Sequence, residues 1–182
     1  MKYSKMAALI AIFTVFMTMP GLLFSDSPAS NMPHKVYSAD KQFYVDMIPQ
    51  DGWGGYGNGK GTVYQVLPDG QAKELWSVPF FAADIVLTND GKYLIAFGPW
   101  ATSTEDLALS FYGEGKELKK YAVKDLIRDE SRLQRSVSHF FWRSYEKPAL
   151  KGLSEDQNKF TLTLIDGTTC VFDLSNGDLL TH

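Results

Sequence analysis

The feature that most constrains this chain is a turn written three times. Ser38-Ala39-Asp40 precedes Phe43-Tyr44-Val45, Thr88-Asn89-Asp90 precedes Tyr93-Leu94-Ile95, and Ser154-Glu155-Asp156 precedes Phe160-Thr161-Leu162. Each is a hydroxyl residue, a spacer, an aspartate and a short polar stretch, followed by an aromatic that opens an apolar run. Asp and Ser/Thr side chains bond nearby backbone N–H groups and close tight turns, so each copy reads as a turn feeding a strand. A second hairpin follows each: residues 63–78 around Asp69-Gly70, 107–123 around Glu114-Gly115, and 170–180 around Asn176-Gly177. Such dipeptides are hairpin turn signals. Three units of one design result, at about 36–84, 85–150 and 151–182, and a period of this size points to a repeat architecture.

The strands between the turns differ in pattern. Tyr93-Leu94-Ile95-Ala96-Phe97 is continuously apolar and predicts burial on both faces. Phe160-Thr161-Leu162-Thr163-Leu164 alternates and predicts one wet face. Aromatic residues make up 14% of the chain, a bias that suits half-buried pleated sheet. Leu126, Ile127 and Leu133 fall near helical spacing and predict one short amphipathic helix at about 123–135; a helix continuing through Val137 and Phe140 is the competing reading. The expected fold is therefore mainly β: antiparallel β-hairpin repeats, arranged as a partial propeller or a small β-sandwich, within one domain spanning 36–182.

Thr88-Asn89-Asp90-Gly91-Lys92-Tyr93-Leu94 resembles the Ser-Pro-Asp-Gly-Lys-x-Leu strand entry of bacterial β-propellers. The proline is absent, Asp-Gly survives in one unit, and no Trp-Asp signature occurs. Three units are also fewer than the usual 4–8 blades. The whole chain is similar to uncharacterised small exported bacterial proteins with propeller-blade-like repeats. That resemblance implies a scaffold; it carries no known activity and supplies no catalytic residues.

The N-terminal segment predicts a domain outside the reducing cytosol, a buried core helix being the third reading of its apolar run. Lys2 and Lys5 precede residues 6–24, which carry no charge, and Ser25-Asp26-Ser27-Pro28-Ala29-Ser30 is polar. This order predicts a signal peptide over 1–29, with Ser27 and Ala29 at the −3 and −1 positions of the cut. The uncharged run is also long enough to span a bilayer, so an uncleaved anchor is the alternative. Pro20-Gly21 breaks the helix near the end of the run and favours cleavage. Residues 30–35 read as a linker. The expected location is periplasmic or secreted, with membrane attachment only if residues 6–24 are retained.

Residues 51–62 form the richest loop. Gly52-x-Gly54-x-x-Gly57 and Gly54-x4-Gly59-Lys60 resemble phosphate-binding patterns, but those require a following helix, and Thr62 onward reads as a strand. The loop instead presents Trp53 and Tyr56, and Trp100 occupies a similar place in the second unit. These three aromatics are the candidate binding residues, forming a patch for a sugar, peptide or protein partner; burial in the core is the competing reading.

Cys170, the only cysteine, reads as a buried small hydrophobe. His34, His139 and His182 are scattered, no metal-ligand spacing occurs, and the pairs Glu105-Asp106, Asp129-Glu130 and Glu155-Asp156 read as solvated. The net charge is −3, and Lys116, Lys119, Lys120 and Lys124 interleave with carboxylates, so nucleic acid is not an expected partner. The expectation is an exported, non-catalytic binding or interaction module, without cofactor or metal, with a protein or carbohydrate ligand and an oligomer allowed. The alternatives are a membrane-tethered accessory protein and, more remotely, a hydrolase. A hydrolase site assembled from distant loops leaves no local motif.

Overall fold

The computed structural model describes residues 30–144 and 151–182; residues 1–29, where a signal peptide or anchor is expected, lie outside them. Each of the three sequence units forms a four-stranded antiparallel meander. The first unit contains β1 (His34–Tyr37), β2 (Phe43–Pro49), β3 (Tyr56–Gly57), β4 (Gly59–Val66) and β5 (Ala72–Val78), with sheet order β1-β2-β4-β5. Next come β6 (Phe81–Ala82), β7 (Ile85–Leu87), β8 (Tyr93–Phe97), β9 (Leu107–Gly113) and β10 (Lys116–Ala122), of which the last four form the second sheet. A crossover holds β11 (Gln134–Arg135) and β12 (Phe140–Phe141). It leads to the third sheet, β13 (Lys151–Leu153), β14 (Lys159–Thr163), β15 (Thr169–Asp173) and β16 (Leu179–Thr181). β3 pairs with β6 and β11 with β12, as two small extra ribbons.

The repeated turns fold alike. Ser38 Oγ donates to Asp40 Oδ1 (2.7 Å) and accepts from Phe43 N (3.0 Å). Thr88 Oγ1 donates to Asp90 (2.6 Å) and accepts from Tyr93 N (3.0 Å). Ser154 Oγ donates to Asp156 (2.6 Å) and accepts from Lys159 N (3.0 Å). In each, the fourth residue has positive φ: Lys41 at 62°, Gly91 at 67° and Gln157 at 55°. Only the second turn uses glycine there, and a Cβ at Gly91 would collide with the Phe43 ring. The third turn also shows a one-residue displacement. The residue matching Phe43 and Tyr93 is Lys159, and Phe160 stands one place later, where unit two has Leu94.

The turns also touch one another. Asp40 N donates to Asn89 Oδ1 (3.2 Å), and Asn89 N donates to Gln157 Oε1 (2.6 Å). β1 and β7 lie side by side, and Lys151 at the start of β13 reaches Asp84 just before β7. The first strands of the three units thus converge, an arrangement consistent with a partial propeller or a small sandwich of hairpin repeats. No closed barrel forms among the described residues.

The middle sheet carries both cores. Leu94 and Ala96 pack with Val45, Met47 and Val63 of the first unit, whereas Ile95 and Phe97 pack with Phe160, Leu162 and Phe172 of the third. This explains the two patterns in the sequence: Leu94 to Phe97 are all buried, while Phe160, Leu162 and Leu164 alternate with half-exposed Thr161 and Thr163. The two outer faces are different. Tyr44 stacks on Tyr64 at 5.1 Å and packs at a tilt against Tyr37 at 5.3 Å, across β1, β2 and β4 on the far side of the first sheet. Thr161, Thr163 and Val171 cover that of the third. Hydroxyl-bearing end faces are what terminal repeats need in order to face water.

The expected helix over 123–135 is shorter in the structure. α1 spans Val123–Leu126, Ile127 is already extended, and a 3-10 turn covers Glu130–Arg132. Asp166 Oδ2 accepts the N–H groups of Arg128 (3.1 Å) and Asp129 (3.4 Å), taking backbone donors that a longer helix would use. Breaking the helix there lets Leu126, Ile127 and Leu133 all be buried.

Cys170 is fully buried in β15, and burial pushes its thiol up to about 11. Thiolate is the reactive form, so the native protein should resist alkylation at neutral pH and react at once in denaturant. Rapid native labelling, read by mass spectrometry, would contradict the burial.

Candidate functional site

The loops at one end of the three sheets build the site. They connect the second strand of a unit to the third, and one unit to the next. Asn31, buried ahead of β1 within the segment that reads as a linker, anchors the glycine-rich loop. Its Nδ2 donates to Asp51 O (3.1 Å) and Trp53 O (3.0 Å), and its Oδ1 accepts from Gly55 N (2.8 Å). Gly54 and Gly55 have φ of 103° and 75°, a conformation open to glycine at little cost. Their carbonyls accept from Trp100 N (3.3 Å) and Ala83 N (2.6 Å). The loop is thus tied inward by its own backbone groups and runs on into strands, with no helix to meet a phosphate.

Gly54, Gly55, Asp84, Phe97, Trp100 and His139 help to line a cavity of about 290 Å³. Trp100 packs against His139 with ring centres 3.8 Å apart and the planes tilted by 54°, and the Trp100 Nε1 hydrogen is buried without a partner. Phe97 and Trp142 stack at 6.4 Å behind them. Asp84 accepts from Arg143 Nη1 at 2.5 Å and Lys151 Nζ at 2.7 Å. Both cations also lie over the Phe97 ring, at 4.4 and 4.3 Å.

Burial raises the pKa of Asp84, but Arg143 and Lys151 outweigh it and hold the carboxyl below its ordinary value. A depressed folded pKa stabilises the fold above the ordinary carboxyl value of 3.8 and is lost as pH falls below it. Asp84→Asn should therefore cost about 2 kcal/mol at pH 7, where the wild type has charge-assisted bonds. The difference between the two proteins should shrink below pH 4, which denaturation at several pH values will measure.

His139 Nδ1 lies 2.6 Å from Ser136 Oγ. This pair is a local turn: Ser136 Oγ also accepts from Ser138 N (3.4 Å) and His139 N (3.2 Å). Among the described residues no group of His, Cys, Asp and Glu could hold a metal ion.

The three aromatics singled out by sequence are not one patch. Trp100 lines the cavity. Trp53 is 65% exposed on the loop beside it, bridged through its backbone to Ser30. Tyr56 turns away, stacks on Phe80 at 5.2 Å, and lines a separate cleft. Asp84, Phe97 and Arg143 were not legible as site residues, since they come from three distant segments and none lies in a motif.

No protein family matches the chain, and no curated protein matches it. Among the described residues no helix is long and apolar enough to cross a membrane.

Proposed function

We propose that the protein is an exported, non-catalytic interaction module that binds a protein partner through the loop end of its sheets. The observation that carries this reading is the exposed apolar side chains at that end. Met32 is 65% exposed, Ile48 52%, Trp53 65% and Val137 74%. They come from three stretches of chain: the approach to β1, the end of β2 with its connection to β4, and the β11–β12 turn. Exposed apolar groups at this end suit a protein interface, and the cavity at the same end, with aromatic and arginine walls, suits one anchoring side chain. Trp100 and Phe97 supply the walls for that anchor, and the unpaired Trp100 Nε1 supplies a donor. The charge pattern of residues 1–29 supports export, with the domain released after Ala29 or held by residues 6–24.

Photo-crosslinking in the producing cell tests the reading. A crosslinker at Met32 or Val137 should give a discrete protein adduct, and one at Glu74, on the strand at the opposite edge of the first sheet, should not. Trp53→Asp should remove the adduct without unfolding the domain. Equal adducts from all three positions, or none, would count against a loop-end interface. Sequencing the N-terminus of the purified protein separates release from tethering.

A further inference from the structure

The cut expected after Ala29 falls at the very edge of the folded domain. Ser30, the residue just past it, forms an antiparallel bridge with Trp53. Asn31, the next residue, is 8% exposed. Its backbone N–H donates to Gly52 O (2.8 Å), its Nδ2 donates to Asp51 O (3.1 Å) and Trp53 O (3.0 Å), and its Oδ1 accepts from Gly55 N (2.8 Å). β1 begins at His34, which is already in register with Met47 of β2. The first residues after the cut are therefore built into the glycine-rich loop.

Proteolysis needs exposed chain with free backbone, because the enzyme grips its substrate as an extended strand. Here the backbone of Ser30 and Asn31 is already paired with the loop. Only residues 25–29 separate the uncharged run from Ser30, and that stretch of chain spans at most about 20 Å. The folded domain is thus also held close to any enzyme that works at the membrane. We infer that folding, through Asn31, closes this cut site, so that the order of folding and cleavage decides whether the domain is released or stays tethered. The inference rests on the reading of residues 1–29 as a cleavable segment. The reaction is a hydrolysis: water adds across the Ala29–Ser30 peptide bond and leaves the Ala29 carboxylate and a Ser30 amino group. A chain that is cut first folds afterwards and is free. A chain that folds first has Ser30 and Asn31 locked and keeps residues 6–24.

The test uses the full chain made by cell-free synthesis in detergent micelles, so that it folds before it meets the enzyme. A membrane-bound signal peptidase is then added, and mass spectrometry follows the cut. A variant with a flexible Ser/Gly spacer inserted between Ala29 and Ser30 moves the bond away from the fold and should be cut rapidly. The wild type should be cut at least tenfold more slowly. Asn31→Ala removes three of the four hydrogen bonds and should speed cutting of the folded chain about tenfold. Equal rates for the wild type and the spacer variant, or no acceleration in Asn31→Ala, would overturn the inference while leaving the cut site standing. A spacer variant that is not cut after Ala29 would overturn the cut site and, with it, the inference.

Discussion

Gly98→Ala is expected to destabilise the domain by about 4 kcal/mol, enough to leave much of it unfolded at physiological temperature. A Cβ at this position would overlap the Leu107 carbonyl oxygen far inside van der Waals contact distance, and would also crowd its carbonyl carbon at 2.5 Å. The atoms in the way are backbone, so no side-chain rotation relieves them. The strand that would have to move is β9, which adjoins both cores and pairs with β8 and β10. Gly98 N also donates to Ala108 O (2.8 Å), so backing away breaks a strand-end hydrogen bond. Overpacking in a rigid core typically costs about 1–3 kcal/mol, and the fixed backbone puts this site above that range. Gly152→Ala is the control, because a Cβ there meets nothing within 4 Å. It should change the urea midpoint little, and a Gly98→Ala midpoint equally unmoved would mean that the close approach is absent.

Phe111→Ala is expected to cost about 4 kcal/mol, by lost transfer energy and by the cavity left behind. Phe111 is 1% exposed and belongs to the core shared by the second and third units. Its ring meets Phe172 at 5.0 Å, Tyr121 at 6.2 Å and Phe160 at 6.5 Å. The damage should extend beyond the ring. Tyr121 OH donates to Gly177 O (2.9 Å) and accepts from Leu179 N (3.0 Å), so a tilted Tyr121 loosens the last hairpin as well. Hydrogen exchange should show faster opening at Leu179 than in the first unit. A loss under about 1.5 kcal/mol would mean that the third unit packs on the second far less closely than these distances require.

The candidate site was only partly legible. Trp53 and Trp100 are recognisable from sequence because tryptophans beside glycines and prolines fall in loops. Tyr56 belongs to the same loop in sequence, yet β3 pairs with β6 and turns it into the other cleft. Asp84, Arg143 and Lys151 carry no motif, and their ion pairs exist because the first strands of two units converge.

What the sequence determined by itself is the set of interactions closed within a few residues. The Ser/Thr-x-Asp turns, the hairpins after them, and the contrast between a strand buried on both faces and one buried on a single face all follow from nearest neighbours and strand alternation. The tertiary structure decided what depends on partners far along the chain. It ended the helix at Leu126, where Asp166 captured its next backbone donors. It divided the aromatic loop residues between two cavities, because which face a loop side chain takes depends on the sheet that packs against it.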